Sequence, residues 1–363
     1  MAVKHSRFTG ILLRTIAVLA AVALLLACAS QFFRPARFPI LLYFGLYYIP
    51  LLALNVLILI VALFRRTLAV LIPVVALIPT LFLADRYVKI GREESPHTGE
   101  GISILTYNIG RYSAGGRRVT SNQSVSGIRQ FLTEEDAGIV CLQEFAVKDT
   151  AALSPYLPAY PYSASHLFKG NRSFGNVTLS KYPIVRSEVL TFPDSRNLCL
   201  VTDVDVDGQL LRVYNCHLES YSISFATLVK RLFHKETFSD EVAQVHGRVR
   251  GATIRRAEQV ESLLASEAAS DLPCLVCGDF NDTPASYTYR KLCQTKKDSF
   301  IESGTGFSST YAALWPMLRV DYILLPQEFA SARHETPRVP WSDHYPVTTY
   351  IYFHPAPGEG TND

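Results

Sequence analysis

Three long apolar stretches without a single acid or base open this chain: Thr15–Phe33, Phe38–Phe64 and Thr67–Ala84. A soluble helix normally keeps a polar face toward water. A stretch with none, close to or above the ~20 residues that cross a hydrocarbon core, reads as a membrane span. The overall 48% hydrophobic and 18% charged residues and mean hydropathy of +0.15 therefore average two unlike parts. Residues 1–86 are expected to form an all-α membrane anchor with about three transmembrane helices. A linker over 87–100, a catalytic domain over 101–354 and a tail over 355–363 complete the expected layout.

A cleaved signal peptide is the alternative for the first stretch, since Lys4, Arg7 and Arg14 precede it. Leu26-Ala27-Cys28 even hints at a lipoprotein cleavage site, but two further apolar spans make a lipid anchor redundant. Pro50, Pro73 and Pro79 are tolerated better in such spans than in soluble helices. With no acid or base inside them, nothing suggests a transporter or channel. The basic N-terminus favours a cytoplasmic start, and three spans then put the catalytic domain outside the cytoplasm, in an inner or plasma membrane. Arg65 and Arg66 support that orientation, while Arg34 and Arg37 count against it.

The rest of the chain, about 250 residues, is enough for one large domain with its own core. Apolar, β-rich runs recur through it: ISILTYNI, AGIVCLQEF, GNVTLSKYPI, CLVTDVDVDG, QLLRVYNCHL, PCLVCGDF, VDYILL and PVTTYIYF. Helical patterns lie between some of them, notably SVSGIRQFLTEED and TIRRAEQVESLLASEA, with Ala257, Val260, Leu263 and Leu264 on one face. Val206-Asp207-Gly208-Gln209 reads as a hairpin turn rather than part of a calcium loop, because the distal Glu is absent. Cys274 and Cys277 form C-x-x-C inside an extended run, where neither redox nor zinc chemistry is expected.

Eight polar residues stand at or near the ends of these runs: Asn108, Glu144, His217, Asp279, Asn281, Asp321, Asp343 and His344. Buried strands deliver such groups to a common edge, and Asp279 and Asn281, two residues apart, are expected on one face of an extended segment. Hard oxygen ligands in that number suit Mg²⁺ or Mn²⁺, and the histidines add proton-transfer or charge-stabilising groups. No G-x-S-x-G and no G-x-x-x-x-G-K-[ST] is present, so neither a serine nucleophile nor nucleotide-driven work is expected.

The ordered motifs TYNIG, LQE, NCHLES, GDFND, VDYILL and SDHYP resemble the endonuclease/exonuclease/phosphatase superfamily over roughly Gly101 to His354. Its members include deoxyribonuclease-I-like nucleases, abasic-site endonucleases, inositol polyphosphate 5-phosphatases, neutral sphingomyelinases and tyrosyl-DNA phosphodiesterases. The resemblance implies a four-layer α/β sandwich, two packed sheets flanked by helices, with the site at one edge. It implies that Glu144 is the principal metal ligand, with Asn108 beside it and Asp343 in contact. Asp279 would position or deprotonate the attacking water, and Asn281 would hold the phosphate or that water. His344 would sit on the phosphate, oriented by Asp321, and His217 would donate to a non-bridging oxygen.

Two substrate-binding candidates remain. Asn176 in FGNVTLSKYPI is expected to shape the pocket, and His166 precedes the polar loop Lys169-Gly170-Asn171-Arg172. His234, His246, His334 and His354 match no motif. The expected reaction is metal-assisted hydrolysis of a phosphoester. A lipid headgroup or small phosphoester is favoured over nucleic acid, because a net charge of +3 and pI near 8.4 are only mildly basic. The alternatives are a nuclease and a membrane-tethered pseudoenzyme that binds a phosphorylated ligand. Phe225, Leu228, Val229, Leu232 and Phe233 recur at helical spacing beside Lys230, Arg231, His234 and Lys235, as in a helix lying in a membrane interface.

Overall fold

Proline placement divides the apolar block. α1 (Ala2–Ser30) holds no proline and runs unbroken. α2 (Pro39–Leu46) and α3 (Tyr48–Phe64) meet at a 63° bend. The ring of Pro50 would clash with the Leu46 carbonyl of a continuous helix, so the helix breaks between them. The third stretch is a succession of short 3-10 and α turns that includes α4 (Leu71–Leu77) and α5 (Leu81–Ala84). In this computed structural model, which describes residues 2–91, 101–115, 118–147, 156, 158–169, 173–221 and 238–353, Gly10–Ser30 alone is long and apolar enough by itself to cross a bilayer. The bent α2–α3 pair passes if counted as one span, and Leu68–Ala84 is shorter.

Small residues let these helices approach closely, which favours helix association in lipid. Ala17, Ala20, Ala21, Leu24 and Ala27 of α1 are buried with Ile58 and Ala76, and Asn55 Nδ2 of α3 donates to the Ala20 carbonyl at 3.0 Å. Outer faces keep large apolar side chains exposed, Leu19 at 66% and Phe64 at 86%.

The block also packs on the domain that follows it. Arg86 donates to the Gln31 side chain at 3.0 Å and to the Pro284 carbonyl at 2.8 Å. Arg34 pairs with Glu261 at 2.7 Å, and Ala285 lies in the cluster that buries Leu24, Tyr48 and Leu83. The start of the expected linker is woven in as well: β1 (Val88–Lys89) pairs antiparallel with β11 (Gly306–Phe307). The rest of that linker beyond Gly91 lies outside the described residues, as does the Phe225–Phe233 stripe.

Period-two alternation builds the layers of the second domain. One sheet takes the order β13 (Ala330–Glu335), β14 (Val347–Tyr352), β2 (Gly101–Asn108), β3 (Ile139–Val147), β5 (Ser173–Ser180) and β4 (Tyr162–Phe168). The other takes β10 (Lys296–Asp298), β12 (Asp321–Pro326), β9 (Cys274–Asp279), β8 (Gln209–His217), β7 (Leu198–Val206) and β6 (Ile184–Thr191). Ile102, Ile104, Cys141, Val213, Leu275, Cys277 and Ile323 fill the space between the sheets. Leu105 and Tyr107, in the opposite phase, pack with Ile128 and Phe131 of α6 (Ser121–Glu135). Tyr214 and Val276 pack with Val260 and Leu263 of α7 (Phe238–Ala268). This is the expected four-layer sandwich.

Local signals hold in detail. Thr120 caps α6 in a capping box with Gln123. The β7–β8 hairpin turns at Asp207 and Gly208, both at positive φ (52° and 91°), as a primed two-residue turn requires. Cys274 and Cys277 fall on opposite faces of β9, in the outer and inner cores respectively. The α7 helix begins at Phe238, well before the expected Thr253.

A buried ion pair steadies β12. Asp298 receives two Arg319 guanidinium bonds at 2.8 and 2.6 Å and the Tyr289 hydroxyl at 2.7 Å. Burial works against the Asp298 carboxylate, yet these partners hold its pKa below the ordinary value. Tyr322, beside Asp321, donates its hydroxyl to the Arg319 carbonyl at 3.0 Å.

Candidate active site

Three neighbouring strands present polar groups on one rung. His217 ends β8 opposite Asp279, which ends β9, and Asp279 lies opposite Asp321, which begins β12. Each continues the inward phase of its strand: Val213 leads to His217, Leu275 and Cys277 to Asp279, and Ile323 follows Asp321. Asn108 ends β2 on the facing sheet in the same phase, and its Nδ2 donates to Asp279 Oδ2 at 2.8 Å.

Glu144 reaches this cleft by a bulge. Leu142 and Phe145 both face the outer core of the first sheet, and the β3–β5 register shifts between them. The extra residue is re-aimed out of the ladder, with Glu144 in the left-handed region at φ 52°. Such a conformation costs about 1–3 kcal/mol and persists only where surroundings enforce it. Glu144 Oε1 stands 3.7 Å from His217 Nε2, and its Oε2 stands 3.1 Å from Arg111 Nε.

The SDHYP segment is bent, as adjacent Asp343 and His344 sharing one site require. Ser342 Oγ donates to the Asn108 carbonyl at 2.7 Å, and the Asp343 carbonyl accepts from Ala312 N at 2.9 Å. The Asp343 carboxylate fits beside Gly110, where a Cβ would stand 2.7 Å from its Oδ1. His344 Nδ1 hydrogen-bonds Asp321 Oδ2 at 2.9 Å, and its Nε2 lies 3.9 Å from Asp279 Oδ2. Asn108, Glu144, His217, Asp279, Asp321, Asp343 and His344 thus meet at one edge.

Three candidates stand differently from expectation. Asp279 and Asn281 do not alternate on an extended face: β9 ends at Asp279, Phe280 enters the outer core, and Asn281 turns left-handed at φ 52°. Its backbone N–H donates to Asp279 Oδ1 at 2.8 Å and its Nδ2 to the Leu218 carbonyl at 2.9 Å, tying the two catalytic loops together. Asn176 is buried beneath the site, its Nδ2 bridging the sheets to the Asn215 carbonyl at 2.9 Å. His166 sits on β4 in register with Asn176, its ring edge-on to Phe168 at 5.3 Å. No hydrogen bond or ion pair joins it to the cleft among the described residues.

Motif reading passed over Gln143 and Asn215, although the alternation that turns His217 inward turns Asn215 inward too. Gln143 Nε2 donates to Asn215 Oδ1 at 2.8 Å and to Thr106 Oγ1 at 3.0 Å, a polar floor between the sheets. Arg256, fully buried on α7, was also passed over. It reaches Asp282 at 3.3 Å, the Glu219 carbonyl at 2.7 Å and the Tyr221 hydroxyl at 2.7 Å, bracing both catalytic loops from behind.

The cleft is rich in anions. Burial raises the Asp279 pKa, with Asp321 adding and His344 opposing. Burial raises Asp343 likewise, with Glu144 adding to it. Burial also works against a charged His344, but the carboxylates of Asp321 and Asp279 hold its pKa well above the ordinary histidine value. Carboxylates that suppress one another's ionisation form a cluster that a cation would complete. Asp279, Asp321 and His344 each offer a ligand atom within 4.8 Å of the others. His344 Nδ1 is committed to Asp321, and the other hard oxygen donors at this edge are Glu144, Asp343 and Asn108 Oδ1, which also accepts from Gly110 N–H at 3.0 Å. Buried His217 Nε2 and Asp321 Oδ1 have no hydrogen-bond partner among the described residues, and His217 Nε2 faces the carboxylates.

Comparison with known proteins agrees with this geometry. The family model described as "Endonuclease/Exonuclease/phosphatase family" matches residues 105–344. A domain of unknown function (DUF8431) matches residues 10–87. No curated protein matches the chain. An endonuclease/exonuclease/phosphatase from Beutenbergia cavernae has a similar structure, at 18% identity and TM-score 0.52, covering 70% of this chain and 72% of that one. One from Bacteroides vulgatus is similar at 17% identity and TM-score 0.52, covering 70% and 99%. The mannosyl-6-phosphatase Bt3783 of Bacteroides thetaiotaomicron is similar at 16% identity and TM-score 0.52, covering 69% and 100%. At these identities the likeness carries the fold. The family match spans every motif from the strand that ends at Asn108 to the histidine that closes the cleft, and this chain belongs to the endonuclease/exonuclease/phosphatase family.

Proposed function

We propose that the protein is a divalent-metal-dependent phosphoester hydrolase held at a membrane surface, acting on a lipid headgroup or similarly small phosphoester. The rung of His217, Asp279 and Asp321, closed by His344 and faced by Glu144, supports this reading most. Glu144, Asp343 and Asn108 Oδ1 would hold Mg²⁺ or Mn²⁺, whose charge offsets that developing on the phosphoryl group. Asp279, its oxygens fixed by Asn108 and the Asn281 N–H, orients a water and takes its proton. Its raised pKa makes it a stronger base than an exposed carboxylate. His344, kept cationic by Asp321, and His217 Nε2 donate to non-bridging oxygens.

The DUF8431-matched block serves as the anchor in this reading and crosses three times, the third crossing being the shorter Leu68–Ala84 segment. The C-terminal end of α1, the start of α3 and Arg86 all lie against the catalytic domain, through Arg34–Glu261, the burial of Tyr48 with Ala285 and Arg86–Pro284. Arg65 and Arg66 follow the other end of α3. Read by the positive-inside rule, Arg65 and Arg66 together with the basic N-terminus of the sequence favour a catalytic domain outside the cytoplasm. A C-terminal reporter that is active only in the cytoplasm should stay dark, and a bright one overturns this topology.

Substrate class is tested on the full chain in detergent micelles with Mg²⁺. Phosphatidate vesicles, single- and double-stranded oligonucleotides and mannose 6-phosphate are offered in parallel. One structural neighbour is a mannosyl-6-phosphatase, so the sugar phosphate belongs in the panel. The expected result is faster turnover of lipid or sugar phosphate than of either oligonucleotide. Oligonucleotide cleavage as the fastest reaction overturns the assignment in favour of a nuclease.

A further inference from the structure

Beside Glu144, the mouth of the cleft carries two guanidinium groups on one aromatic ring. The Arg111 guanidinium lies 3.9 Å from the Phe174 ring centroid, and that of Arg196 lies 4.6 Å from the same centroid. Arg196 also approaches the Phe168 ring at 5.8 Å. Three separate elements bring these groups together: the turn after Asn108, the start of β5, and the loop that leads into β7. All meet at the catalytic edge. Arg111 follows Asn108 by three residues, and Arg196 precedes by two the Leu198 that pairs with His217. The turn is strained to achieve this, with Gly110, Arg111 and Tyr112 at φ 53°, 53° and 60°. Only the first of them is a glycine, so L side chains occupy left-handed backbone where it is costly.

The charge balance is lopsided. Among the described residues no carboxylate pairs with Arg196, which is exposed, whereas Arg111 is paired with Glu144 at 3.1 Å. Glu144 is also a hard donor facing the cation position, so a bound cation would draw on the charge that now balances Arg111. Arg196, held on the same ring as Arg111, then carries a charge that no described carboxylate pairs, beside the Glu144 side of the cleft. Planar guanidinium groups match phosphate oxygens by paired hydrogen bonds, and resting against a ring pre-orders them.

We propose that Arg111, Phe174 and Arg196 form a second-anion subsite, which takes a further phosphate of the substrate next to the scissile one. The proposal rests on the active-site reading above and narrows its substrate to one carrying two neighbouring phosphate groups. Phe174 holds the two cations in place, Arg196 supplies the unbalanced charge, and Arg111 links the subsite to Glu144.

Calorimetry on the full chain in detergent micelles tests this by binding, apart from turnover. Inorganic phosphate and pyrophosphate are titrated separately at one fixed free Mg²⁺ concentration and about 0.15 M salt, where long-range surface charge is screened. Wild type should bind pyrophosphate roughly tenfold or more tightly than phosphate, since a charge-assisted contact is of that order. Arg196→Ala and Phe174→Leu should each erase most of that preference, and Arg196→Lys should keep part of it. Arg186→Ala removes an exposed guanidinium elsewhere and should leave the preference intact. A second arm compares vesicles containing diacylglycerol pyrophosphate with vesicles containing phosphatidate. An Arg196-dependent preference there as well identifies the source as lipid, and a preference confined to the soluble arm identifies it as a free phosphate compound. Equal affinity for phosphate and pyrophosphate in wild type, or an unchanged preference in Arg196→Ala, overturns the subsite. An intact preference in a protein that hydrolyses nothing would instead sink the hydrolase reading and leave the subsite standing.

Discussion

Asp279→Asn should lower kcat for bis(p-nitrophenyl) phosphate by roughly 10²–10⁴-fold, the usual worth of a positioned acid–base group, while the protein stays folded. The two effects separate for a structural reason. Asp279 is buried and raised in pKa by that burial, so removing its charge relieves desolvation. Its two oxygens accept from Asn281 N–H at 2.8 Å and Asn108 Nδ2 at 2.8 Å. An asparagine can accept only one of these and meets the other with its own amide donor, a mismatch of about 1–3 kcal/mol. The variant should therefore melt at most modestly lower than wild type, with the catalytic loss far larger than that destabilisation explains. Steady-state kinetics and thermal melting on the same preparation read both numbers. A kcat within a few-fold of wild type would remove Asp279 from the reaction.

Much of this site was legible in the sequence because alternation is a local rule. Ile102, Ile104, Thr106 and Asn108 share a phase, as do Leu275, Cys277 and Asp279, so apolar residues in the run already say which way the terminal polar residue points. Asp207-Gly208 likewise announced its hairpin by chemistry that only a primed turn uses. What escaped was set by tertiary structure. Glu144 enters the cleft because one extra residue in β3 turns left-handed, and nothing in LQEF distinguishes that bulge from a continued strand. Asn281 was expected in an extended segment, but its amide follows the Leu218 carbonyl of another loop. Arg111 and Arg196 lie in loops without periodicity, so their meeting on Phe174 had no sequence signal.

The apolar block shows the same division. Its lack of charge was plain, and the proline positions account for where its helices break. Its docking was not legible. Arg86 meets the Pro284 carbonyl at a sequence separation of 198, and Ala285 is buried with the faces of α1, contacts that composition cannot announce. The consequence is practical. A fragment starting at Gly101 would lose the Arg86–Pro284 bond, the Arg34–Glu261 pair and the β1–β11 pairing. The full chain is therefore the proper material for every assay described here.

Removing the divalent metal should switch this chemistry off reversibly. The cleft holds Glu144, Asp279 and Asp343 close together, and both aspartates are pushed toward their neutral forms by burial and by neighbouring carboxylates. Without a cation these groups repel an incoming phosphate; with one they become its ligands and its base. The full chain in detergent micelles is dialysed against EDTA and assayed on bis(p-nitrophenyl) phosphate, then assayed again after Mg²⁺ or Mn²⁺ is restored in excess. Turnover should fall to the uncatalysed background in EDTA and return on adding either metal, with a return roughly 10²–10⁴-fold weaker in Asp279→Asn. Turnover that continues at the same rate in EDTA would rule out metal-assisted hydrolysis.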